Sequence, residues 1–267
     1  MIIVKPNGGL GNRMRVINSA ICLANKNNHT TIRVLWKKDW GLNASFTDIF
    51  EPVNEISLIE NKFLMAYYFY SRKSLPLGYK YYDDEAILNK RFDENYWDSD
   101  HNKVIVNACY DFYYPSIENN FFGMFKPVNK LLEKIDLITQ NFSDDCVGVH
   151  IRRADHQIAK EKSTIEDFIS RMDTILKESP DSKFYLSTDD PVTELQIAER
   201  YGNKIFSLKD RNLHRNDLIG IEDAVIDLFC LSRTKLILGS YLSSFSEVAS
   251  AIGKIPLETI LKNKPTV

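Results

Sequence analysis

Arg152 and Arg153 stand side by side in the segment HIRRAD (His150 to Asp155), directly after the apolar run CVGVHI. Strand exits favour small turn residues, so a guanidinium pair there points to planar, permanently charged donors matched to phosphate oxygens. The same pair also fits a surface ion-pair cluster with Asp155 and Glu161. A second element, GGLGN (Gly8 to Asn12), lies between an apolar run and a helical pattern. Its glycines let backbone N–H groups approach a phosphate or sugar closely, although a plain tight turn uses glycine in the same way. Met14 stands where a dinucleotide fingerprint has its third glycine, and the P-loop ending is absent.

A third element, GSYLSSFSEVAS (Gly239 to Ser250), gathers Ser240, Ser243 and Ser244 at the start of a helical pattern. Hydroxyls at that place cap the helix or, with its dipole, hold an anion. Capping accounts for Ser244, paired with Glu247, and leaves the other two serines unexplained. In TDD (Thr188 to Asp190), Asp190 reads as a helix cap and Asp189 has no such explanation. Together these strand-end elements describe a crevice for a diphosphate in which arginines replace a divalent cation. No metal is expected: histidines and cysteines lack ligand spacing, and the DSD of Asp98 to Asp100 follows no apolar strand.

These groups must be positioned by elements legible as an α/β alternation. Ile2 to Lys5 and Thr31 to Trp36 read as strands around a helix, in which Val16, Ile17, Ala20, Ile21 and Ala24 share one face. After a Tyr- and Phe-rich stretch over 60–125, read as irregular structure and helices around a cleft, the alternation returns. Cys146 to Ile151, Lys183 to Ser187, Ile205–Phe206 and Lys235 to Leu238 predict strands. Helices are expected from Ser163, boxed with Glu166; from Asp190 with Pro191 at its first position to Gly202; over Glu222 to Ser232; and from Ser244. The expected organisation is two α/β halves, 1–140 and 141–267.

The 267 residues are 44% hydrophobic and 12% aromatic, which excludes a disordered chain. With 34 basic against 36 acidic residues the chain is no dedicated nucleic-acid binder. The start MIIVKPNGG carries no leader pattern and the apolar run Phe63 to Tyr70 is too short to cross a bilayer, so a soluble cytoplasmic protein is expected. Cys22, Cys109, Cys146 and Cys230 are scattered and read as reduced thiols.

HIRRAD, FYLSTDD and GIEDAVIDLFCLSRTKLILGSYLSSFSEVA, in this order behind GGLGNRM, resemble the motifs of the GDP-fucose-dependent fucosyltransferase superfamily. That superfamily spans the α1,2-, the α1,6- (bacterial nodulation and animal core) and the protein O-fucosyltransferases. The resemblance covers the amino-terminal loop and nearly all of 147–252, whereas residues 30–140 carry no family motif. It implies a glycosyltransferase-B fold, two Rossmann-like domains facing a cleft, with the acceptor on the first domain and the donor on the second. It further implies an inverting, metal-independent transfer of L-fucose from GDP-fucose to a glycan hydroxyl, without a cofactor, nucleic acid or partner protein. Work at a membrane face, as a peripheral protein on a cell-surface precursor, fits this reading.

By that resemblance, His150 and Asp227 would recognise the guanine and its neighbourhood, and Arg152 and Arg153 would hold the diphosphate. Ser243 and Ser244 would meet the β-phosphate, while Gly9, Gly11 and Asn12 would approach phosphates and fucose. Asp155, Thr188 and Asp189 would shape the cleft and orient the arginines. Lys160 occupies the place of the α1,6 branch's glutamate, so Glu161 beside it, Asp155 and His156 are rival bases. Rival functions are a transferase for another nucleotide sugar, a non-catalytic GDP-sugar binder and, on the glycine loop alone, a nicotinamide dehydrogenase.

Overall fold

A computed structural model describes residues 1–27, 31–59, 61–69, 78–97, 103–113, 122–154 and 157–262. The expectations placed on Asp98 to Asp100, Asp155 and His156 lie outside the described residues. The chain forms two compact units, Met1–Val128 with Arg215–Ile221, and Asn129–His214 with Glu222–Val267.

In the first unit, β1 (Ile2–Pro6) leads through the glycine loop into α1 (Leu10–Lys26), then β2 (Ile32–Val34), α2 (Phe46–Ile49), β3 (Ser57–Leu58) and α3 (Lys62–Phe69). It continues with β4 (Lys80–Asp83), α4 (Asp84–Lys90), α5 (Glu94–Trp97) and β5 (Val104–Ala108). The sheet is five-stranded in the order β3-β2-β1-β5-β4, with every pairing parallel. Parallel sheets are covered on both faces, so their central strands are continuously apolar. Ile2, Ile3 and Val4 of β1 are accordingly fully buried, and so are Val104, Ile105 and Val106 of β5.

The second unit runs α6 (Asn129–Thr139), β6 (Val147–Ile151), α7 (Gln157–Lys162), α8 (Ile165–Glu178), β7 (Phe184–Thr188) and α9 (Pro191–Tyr201). β8 (Ile205–Ser207), α10 (Leu218–Leu231), β9 (Leu236–Ser240), α11 (Ser244–Gly253) and β10 (Leu257–Ile260) complete the chain, the first turn of α10 counting with the first unit. Its sheet, also parallel throughout, has the order β10-β9-β6-β7-β8, with β6 at the centre. Phe168, Met172 and Ile175 of α8 close one face over Val147, Val149 and Ile151.

The α/β class expected from the sequence is the one observed, with local differences. The stretch read as irregular contains β4 and β5, and β5 pairs with β1 over five residues. Val104 to Val106 carry the β-branched signature; β4, rich in tyrosine and exposed at Lys80 on the sheet edge, carries none. Asp190 caps α9, Pro191 opens it and Gly202 ends it at φ +54°, as the spacing predicts. The box at the start of α8 is instead Thr164 with Asp167. Ser163 is diverted because its hydroxyl donates to the Ile260 carbonyl and accepts from the Tyr241 amide. Likewise Ser243, not Ser244, takes the cap position of α11.

α11 ends against the segment that follows α10: a Cβ on Gly253 would lie 2.0 Å from the Ser232 carbonyl oxygen. Gly253→Ala must move backbone and is expected to cost about 3 kcal/mol. Urea unfolding checks this; an unchanged midpoint would show that the two helix ends do not abut.

Candidate active site

Because β6 lies between β9 and β7, the three motif loops leave adjacent strand ends. His150 stands level with Gly239 on one side and Ser187 on the other, and Ile151 stands level with Thr188. In open parallel sheets this carboxyl edge is where ligands bind. The Ser240 hydroxyl accepts from the Arg152 amide at 2.9 Å and donates to the His150 carbonyl at 3.3 Å. The Ser243 hydroxyl lies 3.2 Å from His150 Nδ1, and the imidazole stacks on Phe245 at 4.9 Å. Leu242, between these serines, adopts φ +53°, a left-handed conformation costly for a branched side chain.

With its hydroxyl turned to His150, Ser243 gives α11 no side-chain cap. Helix amides without intrahelical partners attract anions. Ser244, the first residue of the helix, is buried at this end.

The two arginines separate. Arg152 is half-buried beyond the Ser240 hydrogen bond. Arg153 is only 8% exposed, and its guanidinium donates to the carbonyls of Lys160 at 3.2 Å and Ser163 at 2.8 Å. Burial lowers its pKa, against the pull of Glu166, Asp190 and Asp189. Asp189 accepts from the amides of Arg153 and Ala154 at 2.6 and 3.1 Å, which fixes the turn after β6. A cavity of about 450 Å³ beside Arg153 is lined by Lys160, Thr164, Glu166, Asp189 and Asp190. Glu161 is exposed on α7, where it accepts from Gln157 Nε2 at 2.8 Å.

Asp227, on α10, is 3% exposed. Its oxygens accept from Tyr185 Oη at 2.5 Å and Ser187 Oγ at 3.0 Å, and Arg211 Nε lies 2.9 Å away. Arg211 also donates to the Thr188 and Leu186 carbonyls at 3.1 and 3.0 Å. Burial pushes the Asp227 carboxyl up against the pull of Arg211, and raises the Tyr185 phenol as well. Burial also works against the Arg211 charge, but Asp227 and Glu194 outweigh it and hold its pKa above the ordinary value. Thr188 is buried, and its hydroxyl accepts from the Asp190 amide.

In the first unit, Gly8 has φ +78°, and a Cβ there would meet Asn12 Nδ2 at 2.7 Å. Gly9 caps α1 with no side-chain hydrogen bond, and a Cβ on it would meet nothing within 4 Å. Gly11 is buried in the first turn, and Asn12 is half-buried. Below them Arg13 is wholly buried: Nε donates to the Gly8 carbonyl at 2.9 Å, Nη1 to the Lys37 carbonyl, and Nη2 pairs with Asp39 at 2.8 Å.

Sequence reasoning missed Arg13, Tyr185 and Arg211, and it gave Ser163 only the role of a helix cap. Arg13 lies inside GGLGNRM and was within reach; Arg211 lies 16 residues before its carboxylate, in a loop without a pattern. Among the described residues no group of His, Cys, Asp and Glu is arranged to hold a metal ion, and no helix is long and apolar enough to cross a membrane. Burial lifts the thiols of Cys22, Cys146 and Cys230 to about 12, too high for thiolate chemistry near neutrality. Asp227→Ala would leave the buried Arg211 charge with Glu194 alone and is expected to cost about 3 kcal/mol, seen as a lower urea midpoint. An unchanged midpoint would show that Arg211 reaches solvent.

No protein-family model and no curated protein matches the sequence. Among solved structures, the chain is similar to the NodZ α-1,6-fucosyltransferase soaked with GDP-fucose, with a TM-score of 0.69 and 21% identity over 94% of this chain and 92% of that one. A mutant of Arabidopsis thaliana FUT1 in complex with GDP aligns at a TM-score of 0.63 and 14% identity, over 96% and 69%. POFUT1 in complex with GDP aligns at 0.57 and 10%, over 97% of both chains. The chain therefore has the two-sheet α/β fold of these fucosyltransferases, the glycosyltransferase-B type that the motifs imply.

Proposed function

We propose that this protein is a glycosyltransferase that moves L-fucose from GDP-fucose to a glycan hydroxyl, with inversion and without a metal ion. The observation that carries this reading is the convergence of Arg152, His150 and the side-chain-uncapped start of α11 at two neighbouring strand exits, those of β6 and β9. The structures of like fold were solved with GDP or GDP-fucose, which supports the same donor here.

Breaking the bond between the sugar's anomeric carbon and the β-phosphate oxygen leaves negative charge on the departing GDP. Arg152 and the first amides of α11, with Ser243 and Ser244, stabilise that charge as it develops. His150, held by Ser243 and Phe245, faces the guanine. Arg153, Asp189 and Thr188 keep the turn after β6 in place, and Asp227 acts through Tyr185 and Ser187 as a positioning residue. Gly9, Gly11 and Asn12 are assigned to the donor's phosphates and fucose. A carboxylate, Glu161 or Asp155, takes the acceptor's proton, and attack from the face opposite the leaving group inverts the anomeric centre. Residues 1–140 serve the acceptor and 141–267 the donor, in a cytoplasmic enzyme working peripherally at a membrane.

Calorimetric titration with GDP, UDP and NAD in excess chelator tests the donor assignment. Selective GDP binding is expected, and Arg152→Ala should weaken it about 10- to 100-fold at an unchanged melting temperature. Arg153→Ala should lose transfer and also melt lower, because the Lys160 and Ser163 carbonyls lose their donor. A preference for UDP would discard fucose, NAD binding would overturn the transferase, and strict dependence on manganese would refute the metal-free mechanism.

A further inference from the structure

The chain has three tryptophans, and two are anchored. Trp97 is fully buried and donates Nε1 to the Lys90 carbonyl at 2.7 Å; Trp36 donates to the Ala44 carbonyl at 2.9 Å and meets Phe46 edge-on. Trp40 is 85% exposed. Holding an indole in water forgoes about 2–3 kcal/mol of burial, so its surroundings matter.

Trp40 is the tip of a rigid turn. Asp39 and Leu42 exchange both backbone hydrogen bonds at 3.1 Å, and the Asp39 carboxylate accepts from the Gly41 amide at 2.9 Å. The same carboxylate pairs with Arg13, whose Nε holds the Gly8 carbonyl. Gly41 lies directly against the glycine loop, since a Cβ on it would stand 3.6 Å from the Gly8 carbonyl group. Beyond the turn, Asn43 binds the Arg215 and Asn216 carbonyls at 3.1 and 2.8 Å. The turn follows β2 and the glycine loop follows β1, so both stand at the carboxyl edge of neighbouring parallel strands. Lys37 and Lys38 before the turn and Asn43 after it are exposed; Lys38 pairs with Asp48, and Asn43 is the residue that ties the turn to Asn216.

An indole held out in solvent on a turn whose backbone is fixed, beside the glycine loop, suits a pyranose. The sugar's C–H face lies on the electron-rich ring, while its hydroxyls point outward to polar groups. We propose that Trp40 is a stacking platform for a pyranose ring of the acceptor glycan, and that the Asp39–Leu42 turn is an acceptor subsite. This rests on the transferase reading above for the word acceptor; the sugar-binding claim stands on the turn itself.

Trp40 is the one highly exposed indole, so its emission reports on the subsite. The full-length protein, with GDP present, is titrated with glucose-, galactose- and N-acetylglucosamine-terminated tetrasaccharides. One class is expected to shift the emission to shorter wavelength and to saturate. Calorimetry should show Trp40→Ala weakening that sugar about tenfold, Trp40→Phe staying close to wild type, and GDP affinity unchanged in both. The proposal is overturned if no sugar shifts the emission, or if Trp40→Ala binds the sugar as wild type does. Sugar binding at Trp40 without GDP binding would sink the transferase alone; GDP binding and transfer with an unchanged acceptor KM in Trp40→Ala would sink the platform alone.

Discussion

A guanidinium withdrawn from water must find fixed acceptors for its five N–H groups, and few places other than a bundle of backbone carbonyls offer so many. Three arginines of this chain are held by such acceptors at strand exits, Arg153 through its two terminal nitrogens only. Arg13 ties the Gly8 and Lys37 carbonyls and Asp39, Arg153 ties Lys160 and Ser163, and Arg211 ties Leu186, Thr188 and Asp227. Arg13 reaches across 24 residues to Lys37 and Arg211 across 25 to Leu186, whereas Arg153 closes the shorter loop to Lys160 and Ser163. Loops otherwise free to wander are thereby made part of the rigid frame.

That rigidity explains how a site built from loops can be preorganised. Charge stabilisation works only if donors already point where charge will appear. In the second unit the backbone around Arg152 is pinned from both sides, by Ser240 on β9 and by Asp189 after β7. Ser243 spends its hydroxyl on His150 rather than on its own helix, which fixes the imidazole and leaves the α11 amides without a side-chain cap. One hydroxyl thus orients the His150 ring and leaves the start of α11 without a side-chain cap. The left-handed Leu242 next to it is the local strain that this arrangement tolerates.

The strands around the site were legible because parallel strands write their burial into uninterrupted apolar runs, as in Leu236 to Leu238. The glycine loop, the arginine pair and the Asp190 cap were legible because each is a local feature. Neighbouring residues at a strand exit alternate sides, which separates Arg152 from Arg153. Which of them turns inward is decided by the Lys160 and Ser163 carbonyls, and no spacing announces those acceptors. The Ser163 box was misplaced by one residue for the same reason: its hydroxyl has better partners across the fold, in Ile260 and Tyr241. Ser243 rather than Ser244 holds the cap position of α11, and its hydroxyl turns to His150. Asp227 was visible; the Tyr185, Ser187 and Arg211 that enclose it were not.

The segment Arg215–Ile221 belongs to the first unit although 86 residues of the second precede it, from Asn129 to His214. Asn43, beside the Trp40 turn, donates its backbone amide and its side-chain Nδ2 to two carbonyls of that segment. On the ribosome, at about 5–20 residues per second, these partners arrive roughly 4–17 s after Val128 has been made. The first unit is therefore born incomplete and matures only once most of the second has been synthesised. Its last-formed edge, next to Asn43, is where nascent chains would be most exposed to chaperones and proteases.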